Sequence, residues 1–198
     1  MDGTQSIGAL PFDFNAIKPD LLVCAGYKWL MGPYQCGFAA VGDRLIESEP
    51  FEDNWINRRN SGNFSNLTDY DPEYQTGARR FDVGERSNFI IVPMLTAAVQ
   101  QLLNWGVSGV EKYCRGLTDL LTDSLAGTPY WITEKASRPA HLFSVRPHAK
   151  DSVPRICAEL ERRKVSVSVR ADGFRVSPHV YNTEEDASAL LEALIKAS

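Results

Sequence analysis

The chain has 198 residues, of which 43% are hydrophobic, so it can bury a substantial core in one large domain or two small ones. Its formal net charge is −4, and acidic and basic residues are interspersed, which excludes the basic stripe that binds nucleic-acid backbones. No apolar run approaches the roughly 20 residues that cross a bilayer, and no signal-peptide pattern opens the sequence, so neither membrane insertion nor secretion is expected.

The cysteines and histidines predict a reduced, cytoplasmic protein without a metal site. None of the cysteines stands in a C-x-x-C pair, and the histidines show no metal-ligand spacing. Free thiols are the usual state of cysteine in the cytoplasm. The residues concerned are Cys24, Cys36, Cys114 and Cys157, together with His141, His148 and His179.

Two short apolar runs in the first part of the chain predict neighbouring strands of an α/β sheet. The runs are residues 21–25 and 37–41, and the loop between them contains glycine and proline. Lys28 therefore lies in the connection, at the strand ends. Residues 51–80 are polar and aromatic without periodicity, which predicts a long irregular segment.

Helical periodicity follows the irregular segment. Pro93 is favoured in the first turn of a helix, and Gly106 is expected to end this first helix. A second helix is predicted over residues 110–125. The predicted buried face of the first helix consists of Leu95, Ala98, Val99, Leu102 and Leu103.

The remainder of the chain has the pattern β-α-β-β-α, which predicts a small α+β unit. Alternating or continuous apolar runs indicate the strands, and apolar residues at helical spacing indicate the helices. The predicted elements are a strand at residues 142–145, a helix at 151–163, strands at 165–169 and 174–177, and a helix at 183–197.

Lys28 is the first candidate for chemistry, because it lies among aromatic and apolar side chains in A-G-Y-K-W-L-M-G-P at residues 25–33. Burial would lower the pKa of a lysine amine and so allow it to attack an aldehyde at neutral pH. A lysine whose stem covers apolar surface while its ammonium reaches water is the alternative, and local context alone favours that alternative.

Asp2 is the second candidate, because it stands one strand earlier and would bring a carboxylate to the same sheet edge. A pyridoxal cofactor works as an electron sink while its ring nitrogen is protonated, and a nearby carboxylate keeps it so. An Asp-Gly pair is also a common turn, and spacing alone does not decide between the two readings.

Both candidates lie in segments that resemble the signature of class V pyridoxal-phosphate enzymes. The segments are D-G-T-Q-S-I-G-A-L-P-F-D at residues 2–13 and the Lys28 segment, and the resemblance continues through residues 77–84 and 173–183. This group has fold type I and includes aminotransferases, cysteine desulfurases, selenocysteine lyases, kynureninases and isopenicillin-N-epimerase-like proteins. The resemblance implies pyridoxal 5′-phosphate as cofactor, an amino acid as substrate and a homodimer.

The resemblance also implies a role for individual residues. Lys28 would hold the cofactor as a Schiff base, Asp2 would pair with its pyridine nitrogen, and Gln5 would bind its phenolic oxygen. Tyr27 is similar to a tyrosine that holds the cofactor phosphate, with a core aromatic as the alternative. Arg175 is similar to the arginine that binds the substrate α-carboxylate, which a guanidinium fork suits, and a surface arginine is the alternative.

Three features depart from the desulfurase-like pattern. Ser87 and Asn88 occupy the place of a Gly-Thr-Pro segment that reaches the partner subunit's cofactor phosphate, and helix capping explains either residue equally well. Tyr27 stands where a histidine is common, and no cysteine lies between residues 165 and 175 to form a persulfide. An aminotransferase is therefore expected, with epimerase, kynureninase-like or cysteine/selenocysteine lyase chemistry as alternatives.

The phosphate-binding turn and the stacking aromatic of full-length members precede the Asp-x-x-Gln segment, so the chain is expected to be an N-terminally truncated member. Residues 1–108 would form the C-terminal portion of the cofactor-binding large domain with the start of a linking helix, and residues 109–198 the small α+β domain. A catalytically inactive remnant or assembly module is the alternative to an enzyme.

Overall fold

The computed structural model describes residues 1–66, 68–69 and 71–197 and separates the chain into two units. Unit 1 is Met1–Asn104 and unit 2 is Trp105–Ser198. None of the helices in these described ranges is long and apolar enough to cross a membrane.

Unit 1 contains the two predicted strands, which form an antiparallel pair. Strand β1 is Leu21–Ala25 and strand β2 is Gly37–Val41, so both predicted ranges are confirmed. The first residues of the chain run parallel to β1, because the Gly3 N–H donates to the Val23 carbonyl at 2.7 Å. A one-turn helix, α1, follows at Phe14–Ile17.

The segment between β2 and the next long helix is irregular, as predicted, and polar side chains hold it together. Its described part contains short 3₁₀ turns at Trp55–Asn57, Phe64–Asn66 and Gly77–Phe81. The buried Asn57 amide donates to the backbone carbonyls of Glu52 at 2.8 Å and Arg80 at 3.1 Å. These side-chain hydrogen bonds satisfy buried backbone carbonyls in the described part of the segment and help to hold it together.

Helix α2, Ile91–Trp105, begins two residues before the predicted start at Pro93. Leu102 is 2% exposed, as expected for the buried face, whereas Leu103 is 66% exposed. The assignment of Leu103 to that face was wrong, because neighbouring helical residues point about 100° apart.

Unit 2 is an antiparallel sheet covered by helices. The sheet order is β3-β4-β6-β5. Its elements are helix α3 (Val107–Ser124), strands β3 (Tyr130–Ile132) and β4 (Phe143–Pro147), helix α4 (Val153–Arg162), strands β5 (Ser168–Arg170) and β6 (Gly173–Val176), and helix α5 (Glu184–Lys196). The predicted α+β pattern is confirmed with one additional strand, the three-residue β3, which is too short to give an alternation signal.

One face of this sheet supplies the core of unit 2. Val145 and Phe174 lie opposite each other on β4 and β6, and both are almost fully buried. They pack in one cluster with Leu121 of α3, Ile156 of α4 and Leu194 of α5. Burial of this apolar face against the helices is the main source of stability for the unit.

Strand β5 starts three residues later than predicted, and the end of α4 explains the delay. Lys164 has φ 57°, and the N–H groups of Lys164 and Val165 donate to the carbonyls of Glu161 and Leu160 at 2.9 Å each. These are the two hydrogen bonds of a Schellman motif, which ends a helix with a left-handed residue. The backbone at residue 165 therefore closes the helix and does not pair with β6.

A buried histidine in unit 2 predicts that stability falls on acidification. His179 is 6% exposed, and burial, together with the charge of His141, lowers its pKa. Because the unfolded state binds the proton more tightly, the stabilisation is present above the unfolded pKa of about 6.5 and decreases as the pH falls through that value towards the folded pKa. We expect the free energy of unfolding, measured in urea across this range, to decrease with falling pH.

The pH slope should shrink in His179→Gln and persist in the control His148→Gln, because His148 is exposed. Equal slopes for the two variants would rule out His179 as the responsible group.

Candidate active site

The Asp2 carboxylate lies at the edge of β1 in a turn of its own segment. Its Oδ1 accepts a hydrogen bond from the Thr4 N–H at 2.8 Å, and the Thr4 hydroxyl accepts one from the Ala25 N–H at 3.1 Å. Hydrogen bonding to Thr4 is the main cause that lowers the Asp2 pKa, and the Lys28 charge lowers it further. Asp2 is therefore both a turn residue and an ionised carboxylate at neutral pH.

Lys28 lies in a loop between β1 and β2 that backbone hydrogen bonds fix. The Gly26 N–H donates to the Cys36 carbonyl and the Gly32 N–H to the Gly26 carbonyl, both at 2.8 Å. A Cβ on Gly26 would lie 2.6 Å from the Cys36 oxygen, so only glycine permits this approach. The loop closes tightly and presents Lys28 at a defined place.

Lys28 is exposed, which fits the alternative of a lysine whose ammonium reaches water. The apolar neighbours that suggested burial face the interior of unit 1, where Trp29 is 7% and Leu30 is 5% exposed. Lys28 points away from them. Asp2 is exposed as well, so both groups are open to solvent within the described chain.

The Asp2 segment and the Lys28 loop are joined by a side-chain hydrogen bond and a close backbone approach. Trp29 Nε1 donates to Gln5 Oε1 at 3.2 Å. Gly8 has φ +93°, and a Cβ there would lie 2.5 Å from the Trp29 carbonyl oxygen. The structure thus joins the Asp2 segment to the Lys28 loop through Gln5 and Trp29, and the Lys28 charge is near enough to lower the Asp2 pKa.

Tyr27 stacks on a second tyrosine that the sequence did not identify. The ring centroids of Tyr27 and Tyr34 are 4.4 Å apart with an angle of 18° between the planes. Lys28 Nζ lies 5.8 Å from the Tyr27 centroid. The alternative of a core aromatic does not fit Tyr27, because the side chain is 39% exposed. The sequence did not predict this contact. Met31 and Gln35 have left-handed backbone conformations that turn the loop back, and such turns are not visible in the sequence.

Asn88 caps helix α2. Its Oδ1 accepts hydrogen bonds from the Ile90 N–H at 3.1 Å and the Ile91 N–H at 2.8 Å. The capping alternative therefore accounts for Asn88, while Ser87 is exposed beside it. A contact of either residue with cofactor phosphate stays a prediction.

Arg175 lies on β6 of unit 2, opposite Ser144 of β4 and Ser168 of β5. Its Nε is buried and has no hydrogen-bond partner among the residues that the structure describes. The side chain lines a cavity of about 620 Å³ within unit 2. A buried guanidinium N–H without a partner is costly, so the position suits an anion that would accept from it.

The residues at the end of β1 fit pyridoxal phosphate in their chemistry. An ionised carboxylate suits a protonated ring nitrogen, an amide suits a phenolic oxygen, and an amine suits an aldehyde. Asp2, Gln5 and Lys28 supply these groups from adjacent segments. The arrangement can hold such a ring at several points.

Comparison with known proteins finds relatives among pyridoxal-phosphate enzymes. No protein-family model matches the chain. It is 25% identical over 189 residues to an uncharacterized aminotransferase of Bacillus subtilis, covering 94% of this chain and 48% of that protein. It is 26% identical to the isopenicillin N epimerase of Amycolatopsis lactamdurans, covering 100% of this chain and 52% of the epimerase. The chain therefore spans about half the length of the curated relatives it matches.

Solved structures show the same fold. The cysteine desulfurase CsdA of Escherichia coli superposes with a TM-score of 0.77 at 20% identity, over 99% of this chain and 50% of CsdA. A variant of the cystine C-S lyase C-DES, with glycine covalently linked to its PLP cofactor, gives a TM-score of 0.76 at 24% identity, over 96% of this chain and 49% of that one. These matches confirm the predicted fold class.

Proposed function

We propose that this chain, which shares the fold of type I pyridoxal-phosphate enzymes and resembles their class V aminotransferase group in sequence, acts on an amino acid with that cofactor. The observation that carries the proposal is the joining of the Asp2 segment to the Lys28 loop through Gln5 and Trp29. When bound, pyridoxal phosphate supplies an electron sink for the bonds at the substrate Cα.

Each residue has a role that its position supports. The Asp2 carboxylate, whose lowered pKa keeps it ionised, would accept a hydrogen bond from the protonated ring nitrogen and hold that proton in place. The Gln5 amide would orient the ring, and the Tyr27 hydroxyl would donate to the phosphate. Lys28 would hold the cofactor through its amine, and the same amine would move a proton at the substrate Cα. Arg175 donates two parallel hydrogen bonds to the substrate α-carboxylate.

Within this class, transamination is the proposed reaction. Epimerase, kynureninase-like and cysteine or selenocysteine lyase activities are the alternatives. A desulfurase that forms a persulfide is disfavoured, because the sequence has no cysteine between residues 165 and 175. A homodimer and a cytoplasmic location are proposed on the resemblance and on the free thiols.

A second candidate is a catalytically inactive remnant or assembly module. The exposure of both Asp2 and Lys28 favours it, because catalytic amines and carboxylates usually act where water is excluded. The chain's coverage of about half the length of its relatives is compatible with either candidate.

Reductive trapping separates the two candidates. We expect that pyridoxal phosphate added in equimolar amount gives visible absorption, and that borohydride reduction followed by peptide mass spectrometry places one cofactor mass on Lys28. A label spread evenly over exposed lysines, Lys18 and Lys112 among them, would support the inactive remnant.

A further inference from the structure

The backbone ladder between the first residues of the chain and β1 is interrupted at the end of β1. The Val23 N–H donates to the Met1 carbonyl at 3.0 Å, and the Gly3 N–H donates to the Val23 carbonyl at 2.7 Å. The bonds of a parallel ladder are evenly spaced, so the next one would run from the Ala25 N–H to the Gly3 carbonyl. The structure has a different bond at this place.

The Gly3 carbonyl is used by the turn that follows it. It accepts hydrogen bonds from the N–H groups of Ser6 at 2.9 Å and Ile7 at 2.8 Å. The Ala25 N–H donates to the Thr4 hydroxyl oxygen at 3.1 Å. A side-chain hydroxyl therefore takes the place of a backbone carbonyl at the last residue of β1.

The Thr4 hydroxyl accepts from Ala25 and keeps its own proton for donation, because a hydroxyl is both a donor and an acceptor. The Asp2 carboxylate lies beside it, since Asp2 Oδ1 is 2.8 Å from the Thr4 backbone nitrogen. The Thr4 side chain and then its backbone N–H are the main causes that lower the Asp2 pKa. Among the residues that the structure describes, Thr4 alone donates hydrogen bonds to this carboxylate.

We propose that Thr4 is a positioning residue, whose hydroxyl fixes the Asp2 carboxylate against the end of β1 and so presents it to the ring nitrogen of the cofactor. The inference rests on the proposed function and deepens it. Asp2 is exposed, so its contacts with Thr4 are what select one of its staggered rotamers. Ala25 stands three residues before Lys28, so the same contacts tie the carboxylate to the strand that leads into the lysine loop.

The first test needs no cofactor. An NMR titration of the whole chain with isotope-labelled aspartate follows the Asp2 carboxyl, which Asp2→Ala assigns. Thr4→Val removes the hydroxyl but keeps the branched shape and the backbone N–H, so we expect the Asp2 pKa to rise towards its ordinary value. Exchange of the Ala25 amide proton should become about fivefold faster, because one neutral hydrogen bond is lost.

Matched variants control this measurement. Thr4→Ser keeps a hydroxyl and should keep both the lowered Asp2 pKa and the slow exchange at Ala25. Ser6→Ala removes another hydroxyl of the same segment, one that donates to the Gly3 carbonyl at 3.3 Å, and should leave the Asp2 pKa lowered. Thr4→Ala removes the same hydroxyl if valine prevents folding.

The second test separates positioning from a merely structural role. Thr4→Val should raise the pyridoxal phosphate concentration that gives half-maximal visible absorption by about threefold to tenfold, as expected for a hydrogen bond that solvent partly screens. In an Asp2→Ala background the same substitution should change that concentration by less than about twofold, because the hydroxyl acts through the carboxylate. A structural role would give equal losses in both backgrounds.

Two results would overturn the inference. They are an Asp2 pKa that stays as low in Thr4→Val as in the unaltered chain, and equal losses of cofactor affinity with and without the Asp2 side chain. Failure of the proposed function shows separately, as absent labelling of Lys28 in a chain whose Asp2 pKa still responds to Thr4→Val.

Discussion

Lys28→Ala is expected to abolish covalent attachment of pyridoxal phosphate to the chain. The substitution removes the only lysine amine in the β1–β2 loop, and that loop is hydrogen-bonded to the Asp2 segment. The loop itself should persist, since backbone hydrogen bonds at Gly26 and Gly32 hold it and the lysine side chain is exposed. Two measurements test this. One is the visible absorption of the protein at saturating cofactor, and the other is the mass of the intact protein after borohydride trapping.

Lys18→Arg is the control for unspecific reaction with a surface amine. Lys18 is also exposed in unit 1, yet it lies after α1 and not in the β1–β2 loop. It should keep the full absorption. If Lys28→Ala and Lys18→Arg lose the same fraction of label, the cofactor reacts with surface lysines at random, and the assignment of Lys28 has no support.

Local patterns were sufficient to predict most elements of the fold. Strands β1 and β2 are continuous apolar runs bounded by turn residues, and α5 carries its own cap at Thr183, so nothing distant is needed to define them. The start of β5 could not be predicted, because the sequence does not show that Val165 donates to Leu160. The alternation of valine and serine at residues 165–169 fits a strand that starts at residue 165 as well as one that starts at residue 168.

The members of the candidate site stay predictions that rest on the resemblance, and their environment was not predictable from the sequence. Asp2, Gln5 and Lys28 are identified by the resemblance, and their joining depends on the approach of Gly8 to Trp29. That approach is a tertiary contact that no local pattern encodes. The exposure of Lys28 is likewise not encoded locally. The apolar neighbours Trp29 and Leu30 indicate that the segment packs against the interior, but not which of its side chains are buried.

The placement of Arg175 is a consequence of strand alternation about a buried neighbour. Phe174 is 1% exposed and belongs to the core of unit 2. Successive side chains of a strand point to opposite faces, so the burial of Phe174 directs Arg175 to the other side of the sheet. The core residue therefore sets the orientation of the residue proposed to bind carboxylate.

Phe174→Ala should destabilise the chain by about 3–5 kcal/mol, the usual cost of truncating a fully buried aromatic side chain. Trp131→Ala is the matched control, because Trp131 lies on β3 of the same sheet and is 48% exposed. It contacts the Arg146 guanidinium, so its loss should cost at most about 1 kcal/mol. Urea unfolding monitored by far-UV circular dichroism measures both values.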